Sequence, residues 1–513
     1  MLCRLPPYQA RTGSLRGRRE VGRAVILPRV AKTGGGKKYP MGVYPRPSRT
    51  MLRLAALLAS LHVASSDDHS CAAGLTMDVY ANGASTDPVR VELDGGHCGT
   101  MAAFEAAVSR AACGDPAACH VRDGAGRRVR KCSQLSRSSA DFGVQPPGVA
   151  RAYGIRRDMR FVFATEHVGF VRHLPHLGNM TLTTLAERPR LFALDGFMSG
   201  ADADQLVADA LAIDDDEHKL MQSSTGAKGY HVSSIRTSEN AWVKDTATAT
   251  KLKKKAFEML GFDSYDEQMA DGVQVLRYNN SNGYVAHKDF LSRPADVDAR
   301  AMEPSLGGAN RMATVFLYLT DVAQGGQTVF PKAERPANAA ALPGVEARDV
   351  DDTIAALRDA MEVQTWEPKL VGQCYSKLAV RPARASAILF YSQRPDGTLD
   401  DYATHGGCPV LDGTKWAANL WVWNKAMPFG SSRFGDKGDG KSGDKNPQSV
   451  DVTFSTQLDA IEIFWKEVKM GDVAVGVPFN LNSFPGHGFT ARRRGRILEE
   501  FTVGKHGNAF TVK

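Results

Sequence analysis

Apolar positions recur along this chain in two rhythms, and the switches between them divide it into parts. LTMDVYANG and VRVELDGG alternate apolar with polar residues, the period of half-buried strands, whereas TMAAFEAAVSRAA takes up helical spacing. MRFVFATEHVGFVRH returns to strands, with a Gly- and Arg-rich loop before it. After RPRLFALDGFMS, the stretch GADADQLVADALA sets Leu206, Val207, Ala210 and Leu211 on one helical face, with Ser199 as its N-cap. KLKKKAFEMLG predicts a second amphipathic helix whose lysines form a solvated face. From 272 to 424 the pattern becomes a run of short strands: GVQVLRY, MATVFLYLTD, GQTVFP, KLAVRP, SAILFY and KWAANLWVWN. Gly and Asp turns separate them, as in an antiparallel sandwich or barrel. Residues 332–373, Ala/Pro-rich and then helical (TIAALRDAME), read as an insertion.

These rhythms predict a mainly β protein with some α (α+β). A basic leader covers 1–66, and 71–180 forms a Cys-containing module whose strand-strand-helix-strand order suggests a β-grasp, ubiquitin-like unit. The main domain spans 188–426, a Gly/Ser/Lys/Asp linker 427–449, and a small β-sandwich 450–513. The sandwich is expected from VDVTFSTQ, AIEIFWKE, DVAVGVPF, GFTARRR and ILEEFTVG.

Composition changes the picture mainly at the N-terminus. The 513 residues carry a net charge of +8, but 1–53 hold 13 Lys/Arg against the single acid Glu20. Removing that +12 from the total leaves −4 for the rest, so the charge does not point to nucleic acid. MLRLAALLASLHVASSDDHSC has the order of a secretory signal, with Met51 as the true start, an apolar run Leu54 to Ala64 and a cleavage zone at Ala64 to Ser66. A transit peptide, a signal anchor or a basic tail are the alternatives; any membrane contact is confined to an uncleaved anchor, and the sequence sets no oligomeric state. Cys71, Cys98, Cys113, Cys119 and Cys132 lack CxxC spacing and are expected to form disulfides in the endoplasmic reticulum or beyond, one of the five pairing elsewhere or not at all. The sequons at Asn179 and Asn279 are compatible with that route.

The candidate chemistry starts at YVAHKDF, where His287 and Asp289 stand two residues apart at a strand end. THGGCPVLDGTKW adds His405 on a Gly-rich turn and Lys415 at the head of the next strand. Two histidines and one carboxylate with open positions are the set used by non-haem Fe(II) oxygenases. A lysine inside a barrel needs an anion, and an organic diacid that chelates the metal at one end and meets Lys415 at the other satisfies both. 2-oxoglutarate is such a diacid.

Residues 190–424 resemble the catalytic domain of prolyl 4-hydroxylases, in PRLFALDGFMS, SSIRTSENAW, VQVLRYNNSNGYVAHKDF, RMATVFLYLTDVAQGGQTVFP and the stretch from CYSKLAVRP to LWVWN. The resemblance implies a double-stranded β-helix (jelly roll) with packing helices. It implies that His287, Asp289 and His405 ligate Fe(2+), that Lys415 binds the far carboxylate of 2-oxoglutarate, and that Tyr278, Thr314 and Tyr318 line the co-substrate pocket. Tyr284, Arg311 and Trp421 then lie near a proline-containing peptide or protein substrate, and the loop Arg236-Thr237-Ser238 folds over it. Tyr318 and Trp421 read equally as core aromatics, and Arg311 as the partner of a surface acid. The implied activity is hydroxylation of peptidyl proline at C4 with O2, releasing succinate and CO2, with L-ascorbate rescuing oxidised iron. Cys374 and Cys408 fall on segments that the implied fold brings together, and a disulfide between them is expected.

VDVTFSTQLDAIEIFWKE and NSFPGHGFTARRRGRILEEFTV resemble the β-domain of the von Hippel-Lindau tumour suppressor, which binds hydroxyproline. That resemblance puts Trp465, Ser483 and His487 on the hydroxyproline pocket and Phe489 on an aromatic wall; a pocket tyrosine corresponds here to Val475 or nearby, and the module has none. A structural sandwich, with Trp465 and Phe489 in its core, is the alternative. For the whole chain the competing functions are a lysyl hydroxylase, which typically carries arginine where Lys415 stands, and a non-catalytic protein that binds Pro-rich or hydroxylated peptides.

Overall fold

A computed structural model of the chain describes residues 75–94, 100–130, 134–135, 149–178, 180–215, 218–223, 232–233, 235–291, 299–361, 365–426 and 450–513, apart from 459, 466–467, 476–477, 484 and 506–507 in the last stretch. The leader, the linker, Asn179, Cys71, Cys98 and Cys132 lie outside the described residues.

The N-terminal unit is a four-stranded mixed sheet in the order Val89–Leu93, Leu75–Ala81, Val149–Arg156, Cys119–Asp123, with a parallel central pair. Helix α1 (Met101–Cys113), capped by Thr100, lays Phe104 and Val108 on it, and a Cys113–Cys119 disulfide ties the helix end to the edge strand. Val149–Arg156 is a strand the apolar pattern misses, because arginines interrupt it. Buried Arg151 is neutralised by Glu166 at 2.6 Å and stacks on Tyr80. Of MRFVFATEHVGFVRH, only Val171–Leu174 is strand. It and Met180–Ala186 pair onto Leu191–Asp195, so the division at 180 falls inside the next sheet.

That sheet has nine strands in the order Val171–Leu174, Met180–Ala186, Leu191–Asp195, Ala387–Tyr391, Arg311–Tyr318, Lys415–Trp423, Val273–Tyr278, Glu239–Val243, Met221–Gln222. Facing it is a four-stranded sheet, Tyr284–His287, His405–Gly407, Thr328–Glu334, Lys377–Val380. Leu276, Phe316, Phe330, Leu378, Ile388 and Phe390 belong to the apolar cluster that unites them. On the outer face pack α2 (Gly200–Leu211) and α3 (Ala247–Met259). Ser199 caps α2 in a reciprocal box with Asp202. Two details depart from the helical pattern. Leu211 is 57% exposed at the C-terminal end of α2. Lys253, expected on a solvated face, is fully buried and reaches Glu267 at 2.5 Å and the Lys244 carbonyl at 3.2 Å. Its apolar stem packs in the core while those partners satisfy its ammonium.

Within the insertion lie α4 (Asp352–Asp359) and α5 (Glu367–Cys374), and the Cys374–Cys408 disulfide anchors α5 beside the strand that begins at His405. Residues 450–513 supply seven of the eight strands of two four-stranded sheets, with Val452, Phe454, Ile463, Trp465, Phe489 and Ala491 in the apolar cluster they share. DVAVGVPF does not form the strand expected of it. The strands are Val468–Val473 and Phe479–Ser483, and Pro478, which lacks an N–H, stands just before the second. One strand of these sheets comes from elsewhere: Val232–Ser233 pairs with Phe479–Ser483.

Candidate functional site

His287 is the last residue of its strand and sits directly opposite His405, the first residue of the neighbouring antiparallel strand. This cross-strand pairing brings the two imidazole rings to 4.5 Å. Gly283 and Gly406 let the strands close: a Cβ at Gly283 would stand 2.9 Å from the Gly407 carbonyl oxygen, and one at Gly406 3.2 Å from that of Tyr284. Asp289 lies beyond the strand end, so alternation within a strand does not aim it. It is aimed by its partners. Thr314 Oγ1 donates to Asp289 Oδ2 at 2.7 Å, and Arg311 Nη1 donates to the Asp289 backbone carbonyl at 3.3 Å.

Both imidazoles turn the same edge inward. His287 Nδ1 lies 2.8 Å from the Val285 carbonyl oxygen and His405 Nδ1 lies 2.9 Å from that of Ala403, which fixes Nδ1–H as donor and leaves each Nε2 with a lone pair. Each Nε2 stands 3.7 Å from an oxygen of Asp289, and the donor atoms of the three residues lie within 4.8 Å of one another. Burial, reinforced by His405, depresses the His287 pKa to about 3, which keeps this ring neutral. Desolvation opposes ionisation of Asp289, but His405, Arg311 and the Thr314 hydrogen bond outweigh it and hold the carboxyl below the ordinary carboxylate range. A neutral imidazole beside an ionised carboxylate is what a divalent cation takes up, and the donor set fits Fe(2+).

Lys415 lies further along the same interior. It heads the strand Lys415–Trp423 opposite Tyr278, and the period-two pattern puts Lys415, Ala417, Asn419 and Trp421 on one face. Their cross-strand partners Tyr318, Phe316 and Thr314 share that face. The Lys415 ammonium lies 5.3, 5.2 and 5.6 Å from the ring centres of Tyr278, Phe316 and Tyr318, and no carboxylate pairs with it among the described residues. Burial lowers its pKa to about 7. Tyr318 turns its hydroxyl away to Thr328 Oγ1 at 2.8 Å. Thr314, expected on the co-substrate wall, shares that face and donates to the Asp289 carboxylate.

The residues expected near the peptide form a stack. The Tyr284 ring lies 3.7 Å from that of His287, and the Arg236 guanidinium 4.9 Å from the Tyr284 centre. Arg236 Nη2 also donates to Gln274 Oε1 at 3.2 Å, an oxygen shared with Asn419 Nδ2. Arg311 stacks 3.7 Å from the Trp421 ring but commits its Nε to Asp271 Oδ2 at 2.7 Å. That acid is fully buried rather than on the surface, and it also accepts from Trp423 Nε1 at 3.2 Å. Sequence reasoning missed Asp271, Gln274 and Asn419. Only the polarity of Gln274 and Asn419 within apolar strands could have pointed to them.

In the C-terminal module Trp465, Ser483 and His487 meet, with rings of Trp465 and His487 at 5.2 Å and Ser483 Oγ 2.9 Å from His487 Nδ1. All three are buried, Trp465 and Phe489 belong to the apolar cluster, and Val475 is 57% exposed in a turn.

Residues 273–423 match the 2OG-Fe(II) oxygenase superfamily model. Probable prolyl 4-hydroxylase 6 of Arabidopsis thaliana is 30% identical over 247 residues, 47% of this chain and 71% of the relative. Probable prolyl 4-hydroxylase 3 of the same plant is 30% identical over 249 residues, 48% of this chain and 73% of the relative. Among solved structures, a viral collagen prolyl hydroxylase from Paramecium Bursaria Chlorella virus-1 aligns with 21% identity and a TM-score of 0.29, covering 46% of this chain and 96% of its own. With its metal donors and lysine in place within that matched span, the chain belongs to the prolyl 4-hydroxylase family of 2-oxoglutarate- and Fe(II)-dependent oxygenases.

Proposed function

We propose that the protein hydroxylates peptidyl proline at C4, consuming O2 and 2-oxoglutarate. The observation that carries this reading is the His287, Asp289 and His405 donor set sharing one barrel interior with a buried ammonium that no carboxylate of the described residues meets. Iron and 2-oxoglutarate, when bound, supply the oxidation: one oxygen atom of O2 ends on proline C4, the other in succinate, and CO2 leaves.

The chain's own residues set the stage. Val285 and Ala403 carbonyls hold the two imidazoles in the ligating tautomer, and Thr314 keeps one carboxylate oxygen of Asp289 turned. Lys415 meets the far carboxylate of 2-oxoglutarate, an ion pair that the aromatic walls shield from water. Tyr284 and Arg236 face the peptide. Trp421 lies on the same sheet face as Thr314, and its buried indole N–H has no hydrogen-bond partner among the described residues, so it offers a donor to a peptide carbonyl.

The test is succinate release on adding a Pro-rich peptide, with and without iron, together with the mass of the peptide. Iron-dependent succinate and one added oxygen atom per turnover are expected. Peptide binding without succinate would instead support the non-catalytic reading.

Finer proposals accompany this one. A secretory route is supported by the Cys113–Cys119 and Cys374–Cys408 disulfides, which persist in oxidising compartments; no helix of the described residues is long and apolar enough to cross a membrane. Ascorbate is the reductant proposed for iron oxidised in turnovers without peptide. The parallel central pair of its sheet supports the β-grasp reading of the N-terminal unit. The meeting of Trp465, Ser483 and His487 supports a von Hippel-Lindau-like module that captures hydroxylated peptide. Retention of a hydroxyproline peptide over its proline counterpart, lost in Trp465→Ala, is the corresponding test.

A further inference from the structure

The short strand Val232–Ser233 joins the C-terminal module to the metal-bearing sheet. On one side it adds in parallel to Phe479–Ser483, with Leu481 opposite Val232 and Asn482 opposite Ser233, at the edge of its sheet. Almost at once the chain is fastened on the other side. Val285 N donates to the Ile235 carbonyl at 3.0 Å, Arg236 bridges Tyr284, Thr237 N donates to the Gly283 carbonyl at 3.1 Å, and Gly283 N donates to Thr237 Oγ1 at 2.9 Å. Backbone pairing therefore joins Phe479–Ser483 to 232–233, and 235–237 to Tyr284–His287 and on to His405.

A strand of two residues has no stability of its own, and its place is set by what it pairs with. Here that partner belongs to the C-terminal module. The metal ligands and Lys415 take their side-chain contacts from Val285, Ala403, Thr314 and the aromatic walls, none of which lies in the C-terminal module. Arg236 follows Val232–Ser233 by three residues, and its guanidinium stacks on Tyr284 over His287.

We infer that the C-terminal module is a working part of the peptide site: through Val232–Ser233 it positions Arg236 over Tyr284, against the proline-containing chain. This rests on the reading of those two side chains as peptide-facing. The module thus contributes to peptide affinity and not to co-substrate affinity, whether or not it holds a ligand of its own.

The test compares the full chain with full-length Val232→Pro/Ser233→Pro, in which neither residue keeps an amide N–H to donate across the seam. Binding of a fluorescently labelled poly-L-proline peptide and of 2-oxoglutarate is measured with iron present and oxygen excluded. Peptide Kd should weaken about tenfold in this variant, the loss expected of about one backbone hydrogen bond, while 2-oxoglutarate Kd stays put. Unchanged peptide Kd in the proline variant, or equal weakening of both ligands, overturns the inference. The two readings fail separately: absence of succinate from the wild-type chain with every proline peptide strikes the chemistry, whereas peptide affinity is read without turnover.

Discussion

Lys415 places the sharpest demand on its surroundings of any residue in the barrel. Its pKa of about 7 means that the co-substrate-free site loses the ammonium as pH rises past neutrality. A bound carboxylate favours the charged form, so above about pH 7 binding must take up a proton, and affinity for 2-oxoglutarate should fall about tenfold per pH unit, while below it the dependence is flat. Titration calorimetry in buffers of different ionisation enthalpy would read that proton. Lys415→Ala should raise the KM for 2-oxoglutarate about a hundredfold with iron binding retained, since it leaves one carboxylate buried without its partner. Equal loss of iron would instead mean a collapsed barrel. Asp271 makes the complementary case. Asp271→Asn leaves the Arg311 guanidinium without its buried countercharge and should cost about 3–5 kcal/mol in urea unfolding, far more than a surface pair.

At the scale of elements, the Cys374–Cys408 link holds α5 against the strand of His405. It closes a loop of sequence separation 34, so replacing both cysteines by serine should lower stability by about 3–4 kcal/mol, measured by denaturant midpoint under oxidising conditions. The strand rhythm of 272–424 and the His287, Asp289 and His405 donors were readable in the sequence because strand alternation is local and the metal donors are chemically distinctive. What sequence pattern missed is polarity satisfied at long range. Val149–Arg156 hides behind Arg151, which is tolerable only because Glu166 meets it. Lys253 looks solvated until Glu267 is brought beside it. Asp271 has no signature at all without Arg311 and Trp423. In each case the deciding partner is set by the fold rather than by spacing.

Across the whole molecule, the N-terminal unit and the barrel are not separable. Tyr80, Tyr153, Phe161 and Phe163 lie in the same buried cluster as Phe192, Val273 and Leu420, and Arg160 Nε donates to the Asn424 carbonyl at 2.7 Å. A chain starting at residue 188 should therefore expose that apolar face, and its soluble yield and cooperative melting should fall sharply relative to one starting at residue 75. The seam between Val232 and Leu481 has a temporal consequence as well. Roughly 250 residues separate its two sides, so at about 5–20 residues per second a ribosome needs some 10–50 s to supply the second after the first. His405 is made about 170 residues into that interval, so for roughly the last 75 residues, about 4–15 s, the metal-bearing strands exist and the strand that seats Arg236 does not, and a nascent or prematurely terminated chain can collect iron before it can grip a peptide.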